Sequence, residues 1–71
     1  NLYPNPAKDY FIVDSGDVIP SFVEVTDMTG KVVFEGNQIR EVDANYWTNG
    51  IYFVRVYFED QIQIKRIEIM H

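Results

Sequence analysis

The chain has 71 residues, 46% of them hydrophobic, with six basic against eleven acidic side chains for a net charge of −5. That length suits one small domain without a deep catalytic cleft, the hydrophobic share is high enough to fold, and the negative charge opposes binding to nucleic acid or an anionic membrane surface. No cysteine is present and His71 is the sole histidine, which excludes a disulfide framework and makes a zinc site implausible; no window approaches the ~20 apolar residues of a spanning helix.

The chain opens on Asn1 without a charged-then-apolar leader, and reads as a fragment of something longer. Residues 1–8, NLYPNPAK, read as a linker boundary and first turn, because two prolines remove backbone donors and impose extended geometry. Asp9–Asp14 is predicted as the first strand, with Phe11 and Val13 on one face and Tyr10 and Ile12 on the other. DSGD and Pro20 then turn the chain.

Alternation in SFVEVTD puts Val23 and Val25 on one face against Phe22, Glu24 and Thr26. DMTG fits a type I turn and KVVFEG resumes the strand, so residues 21–27 and 31–36 are predicted as a hairpin, with Gly30 in a positive-φ or bulge position. Gly36 and Asn37 are expected to close it; QIREV offers a further short strand, and DANYWTNG a connection.

From Ile51 to Phe58 the run is apolar on both faces, with Arg55 the one interruption, as expected of a central strand covered on both sides. In the returning IQIKRIEIM, Ile62 and Ile64 share one parity and Ile67 and Ile69 the other, which predicts a bulge near Lys65 and Arg66. No segment shows a helical period. The expected fold is a small antiparallel immunoglobulin-like β-sandwich of six to seven strands, a single domain over residues 1–71.

Candidates for chemistry are few. The closest carboxylate pairs, Asp14 with Asp17 and Glu59 with Asp60, fall in turns, where solvation leaves nothing to tune a catalytic pKa. Asp14, Asp17 and Glu24, or Asp43 with Asn45, offer oxygen donors for calcium without the EF-hand loop pattern. Ser15 and Ser21 have no histidine partner except His71, which is expected to fray at the end of the chain. Tyr46, Trp47, Tyr52 and Tyr57 are either a sugar-stacking platform or core packing. No catalytic residue, cofactor or metal ligand is assigned.

Four elements in order carry a resemblance: Tyr3-Pro4-Asn5-Pro6-Ala7 ahead of a short apolar strand, Gly30-Lys31 in the hairpin, Gly50-Ile51-Tyr52, and a last strand bearing Lys65. Together they resemble the C-terminal sorting domain, or Por secretion tail, of type IX secretion substrates in Bacteroidetes-type bacteria. Trp47 stands where that family often has leucine, and the ending EIMH is less simple than is usual there.

The resemblance implies a domain that is a substrate and not an enzyme, at the end of a secreted or surface-attached protein that reaches the periplasm by a separate N-terminal signal. It implies passage across the outer membrane by machinery that includes a shuttle protein, and cleavage by a sortase-like peptidase that attaches the N-terminal cargo to surface lipopolysaccharide. Tyr3, Pro4, Asn5, Pro6, Gly30, Lys31, Gly50, Tyr52 and Lys65 are the expected sorting-motif residues. The competing readings are a carbohydrate-binding or purely structural sandwich appended to a secreted hydrolase.

Overall fold

The computed structural model describes residues 1–71 and contains seven strands and no helix. These are β1 (Leu2–Tyr3), β2 (Tyr10–Val13), β3 (Phe22–Thr26), β4 (Val32–Asn37), β5 (Glu41–Asp43), β6 (Gly50–Tyr57) and β7 (Ile62–Ile69). One sheet has the order β1-β2-β5 and the other β4-β3-β6-β7, with every named strand pair antiparallel. Taken in sequence as A, B, C, C′, E, F and G, the strands fall into the sheets ABE and C′CFG, the arrangement of an immunoglobulin-type sandwich.

Side-chain alternation builds the core. Phe11 and Val13 of β2, Val23 and Val25 of β3, Val42 of β5, Tyr52, Val54 and Val56 of β6, and Ile67 and Ile69 of β7 are all buried between the sheets. A fully buried residue such as Phe11 or Ile67 contributes about 1.5–3 kcal/mol by leaving water. Leu2, Ala7 and Ala44 complete the cluster.

The reading of residues 1–8 as a linker boundary and turn needs correction, because this segment is part of both the sheet and the core. Leu2 and Tyr3 pair with Val13 and Ile12, and Ala7 is 1% exposed. Asp9–Asp14 therefore supplies the second strand. Two prolines mask so short a strand in the sequence, although Tyr3 lies just ahead of Pro4, where extended geometry is favoured.

At the hairpin between β3 and β4, the Gly30 amide donates to the Asp27 carbonyl at 3.0 Å, closing the expected turn, and Gly30 adopts φ +91°. The register slips by one residue between Val25 and Thr26, so Val33 is the extra residue of a bulge. Gly36 and Asn37 do not close the hairpin but lie inside β4, where Gly36 faces Val23. A Cβ at position 36 would stand 2.9 Å from Cγ1 of Ile39, so any larger residue there requires the Ile39 side chain to shift.

β6 is central in its sheet, as expected, but it is covered on one side only. Tyr52, Val54 and Val56 are buried, while Ile51, Phe53, Arg55 and Tyr57 are half-buried on the outer face. There Phe22 meets Tyr57 edge to face at 5.5 Å, and Arg55 lies 3.6 Å from Glu24. Phe58 falls just beyond the strand.

The expected bulge near Lys65 and Arg66 is absent. The β6–β7 register runs unbroken from Gly50↔Ile69 to Tyr57↔Ile62. The isoleucines change phase because the surroundings of β7 change along its length. Ile67 and Ile69 are buried in the core, whereas of the residues that share their parity Gln63 is half-buried and Lys65 exposed. Ile62 and Ile64 point to the outer face and are 56% and 61% exposed.

Candidate functional site

The N-terminal motif is stapled to the last strand. Asn5 donates from Nδ2 to the Arg66 carbonyl at 3.2 Å and accepts from the Glu68 amide through Oδ1 at 3.1 Å, using both ends of one amide on one strand edge. Ala7 continues the pairing: its amide donates to Glu68 and its carbonyl accepts from Met70, both at 2.8 Å, in a parallel bridge to Ile69. The Tyr3–Pro4 and Asn5–Pro6 bonds are cis. Tyr3, Pro4 and Pro6 are exposed, while Ala7 fits under the core where a larger side chain would not.

The Gly50-Ile51-Tyr52 element begins β6 beside the end of β7, with Gly50 opposite Ile69. Gly50 has φ +154°, a conformation that side chains rarely allow, yet an added Cβ would meet nothing within 4 Å. The glycine is therefore required by backbone angle and not by crowding. The buried Tyr52 sends its hydroxyl to the Thr48 carbonyl, four residues upstream, at 2.7 Å. A tyrosine at the start of the sixth strand, bonded back to the preceding corner, is the tyrosine corner of immunoglobulin-type sandwiches.

Around that corner Trp47 lies 4.9 Å from Tyr52 and 6.1 Å from Phe11, ring centre to ring centre. His71 seals the same end: its backbone amide donates to Oδ1 of Asn49 at 3.0 Å and its Nε2 lies 2.7 Å from the Trp47 carbonyl. A ring nitrogen facing a carbonyl must carry the proton, so His71 is held by two donated bonds and does not fray as expected.

Gly30 and Lys31 belong to the β3–β4 turn. Since Thr26 pairs with Phe53, this turn sits at the end of the larger sheet where β6 begins and β7 finishes. Asp27 organises it by accepting at Oδ1 from the Thr29 hydroxyl at 2.6 Å and from the Thr29 and Lys31 amides. The Thr29 hydroxyl first, then these amides and the Lys31 charge, lower its pKa against a weaker opposing effect of desolvation. Lys31 itself is exposed.

Three motif elements thus gather at one end of the sandwich and Lys65 does not. It pairs with Val54 in the middle of the sheet, exposed on the edge strand. Of the residues that build this end, Ala7 entered the sequence reading only as part of the first motif, His71 only as a residue expected to fray, and Thr48 only within the DANYWTNG connection. Only an alanine after Pro-Asn-Pro, too small for a linker to require, hinted at the first.

The remaining candidates have local structural roles. Asp14 and Asp43 cap turns by accepting from Gly16 and Asn45 amides, and Glu24 faces Arg55. Ser21 donates to the Tyr57 carbonyl and Ser15 to that of Val18. The four aromatics do not share a surface: Tyr52 and Trp47 pack toward the core, Tyr57 lies on the outer face, and Tyr46 stands alone at 93% exposure. An open cleft of ≈ 690 Å³ lies between Asp14, Phe58 and Gln63, and its lining includes no residue of the four motif elements.

A small immunoglobulin-type sandwich with its first residues fastened to its last strand, and three of its four motif elements toward one end, defines a small β-module. Over residues 1–70 the chain matches the family of the secretion system C-terminal sorting domain, the Por secretion tail, and it belongs to that family. The family is one of sorting signals for type IX secretion, so the domain acts with that system to place a secreted or cell-surface cargo. Comparison with curated proteins gives no match.

Proposed function

We propose that this domain is the non-catalytic C-terminal part of a longer secreted protein and that its folded surface is the export signal. The cargo reaches the periplasm by a separate N-terminal signal. An outer-membrane shuttle protein receives the domain after translocation, and a sortase-like peptidase cleaves it and attaches the cargo to the cell surface.

The observation that supports this reading is the joining of the family's first and last motifs by Asn5 and Ala7, next to Gly50 and Tyr52. Motifs far apart in sequence then present one composite surface only when the chain is folded. In this reading Asn5, Gly30, Gly50 and Tyr52 shape the surface, Tyr3, Pro4, Pro6 and Lys31 are exposed on it for recognition, and Lys65 is a separate exposed point on the edge strand.

The test fuses residues 1–71 to a periplasmic reporter in a type IX-competent host, with Lys31→Ala and Lys65→Ala variants whose folding is checked by circular dichroism. The intact domain is expected to deliver the reporter outside the cell, and the folded lysine variants to lower the exported share. Periplasmic retention of the intact fusion would overturn the reading. Full export of both lysine variants would remove these two residues from the recognised surface.

A further inference from the structure

β7 is an edge strand whose outer edge is treated differently along its two halves. In the second half, the Arg66 carbonyl, both groups of Glu68 and the Met70 amide are taken by Asn5 and Ala7. Antiparallel alternation then fixes the first half: if Glu68 points both of its groups away from β6, so do Ile62 and Ile64, spaced at even intervals on the unbroken register. No backbone group of the protein pairs with them from that side. This is an open row of donors and acceptors, without proline, glycine or bulge.

The other edges are blunted. β1 has two residues and runs into Pro4, β5 has three, and β4 carries its bulge at Val33 and the Gly36–Ile39 packing. Beside the open stretch the outer face is apolar, with Ile62 and Ile64 exposed next to the Phe22–Tyr57 pair. A strand added here would continue an existing apolar surface.

Charge selects the occupant. Lys65 and Arg66 are exposed and form no ion pair, in a chain whose net charge is −5. A second copy would bring another acidic molecule and another Lys65–Arg66 pair to the same seam. An acidic segment instead meets free cations: alternation that joins its apolar side chains to Ile62 and Ile64 on the outer face puts its carboxylates on the face of Lys65, while Arg66, on the outer face, adds its positive charge.

We infer that the edge of residues Ile62–Arg66 is a docking site for an extended, acidic, alternately apolar segment of a partner protein, which adds to the larger sheet as a fifth strand next to β7. Backbone bonds to Ile62 and Ile64 supply the attachment, Lys65 the contact with the carboxylates, and Arg66 further positive charge at the seam. The inference rests on the edge geometry and not on the export reading, and export and peptide binding are measured separately.

The experiment titrates the isotope-labelled 71-residue chain with a blocked peptide of about eight residues alternating valine and glutamate, against its valine–lysine counterpart, by nuclear magnetic resonance. Amide shifts are expected to centre on Ile62, Ile64 and Arg66 with the acidic peptide. The Lys65→Glu/Arg66→Glu variant should bind it about tenfold more weakly and prefer the basic peptide. Ile64→Pro removes an outward amide that β6 does not use, so it should abolish binding while the remaining spectrum stays folded. Equal binding of both peptides, shifts centred on another edge, self-association through these amides without peptide, or no binding at millimolar peptide would each overturn the inference.

Discussion

Gly50 and Tyr52 belong to one short motif but answer to different physics: a backbone angle at Gly50, and at Tyr52 a hydroxyl that must find a partner once its ring is buried. Tyr52→Phe keeps the ring and leaves the Thr48 carbonyl without its strongest donor. It should cost about 1–2 kcal/mol in urea denaturation without moving the fold. Asp27 is a second case of fixed geometry. Its depressed pKa means that the turn is stabilised at all pH values above the unfolded aspartate value of about 4, and that this support is lost as the pH falls through the lower folded value. Carbon-detected titration should show Asp27 ionising below the ordinary aspartate value, and Thr29→Val, which removes the hydroxyl donor, should move it upward. The aspartate turn was legible in DMTG, because its chemistry is local. The tyrosine corner was not, because neither the burial of Tyr52 nor the reach to Thr48 follows from alternation alone.

At the scale of elements, β7 separates pattern from environment. Its isoleucines change parity, and a bulge is the local explanation that keeps one apolar face. The strand is regular instead, and the two isoleucine pairs lie on opposite faces. Ile67→Ala should therefore cost about 2–5 kcal/mol by opening a core cavity, while Ile64→Ala should stay within about 0.5 kcal/mol. Chemical denaturation of the two variants side by side measures the difference. Comparable losses would restore the bulge, which places both residues inward. The β3–β4 hairpin was read correctly to within a residue at each end because a four-residue turn and two alternating strands are encoded side by side. Its internal bulge at Val33 was missed, since nothing in KVVFEG distinguishes the two valines before the partner strand is in place.

For the molecule as a whole, the consequential finding is that the chain's first residues close its last strand. Deleting residues 1–8 would remove β1, uncover Ile69 and strip the edge bonds from Glu68 and Met70. The shortened chain should lose cooperative thermal unfolding and bind a hydrophobic dye, as checked by calorimetry and fluorescence; a true linker would be removed without either effect. So small a domain has little stability to spare, and no disulfide to replace the lost contacts.

The sequence by itself determined the all-β class, the faces of β2, β3 and β6, the turn at Asp27–Gly30 and the family, because alternation, turn chemistry and short motifs are properties of neighbours along the chain. Only the tertiary structure decided that Leu2 and Ala7 belong to the core, that β6 is covered on one side, that β7 runs without a bulge and that its first half keeps an open edge. Each depends on how far a narrow sheet extends over a wider one and on which distant backbone groups meet, and a pattern of period two contains no information about either.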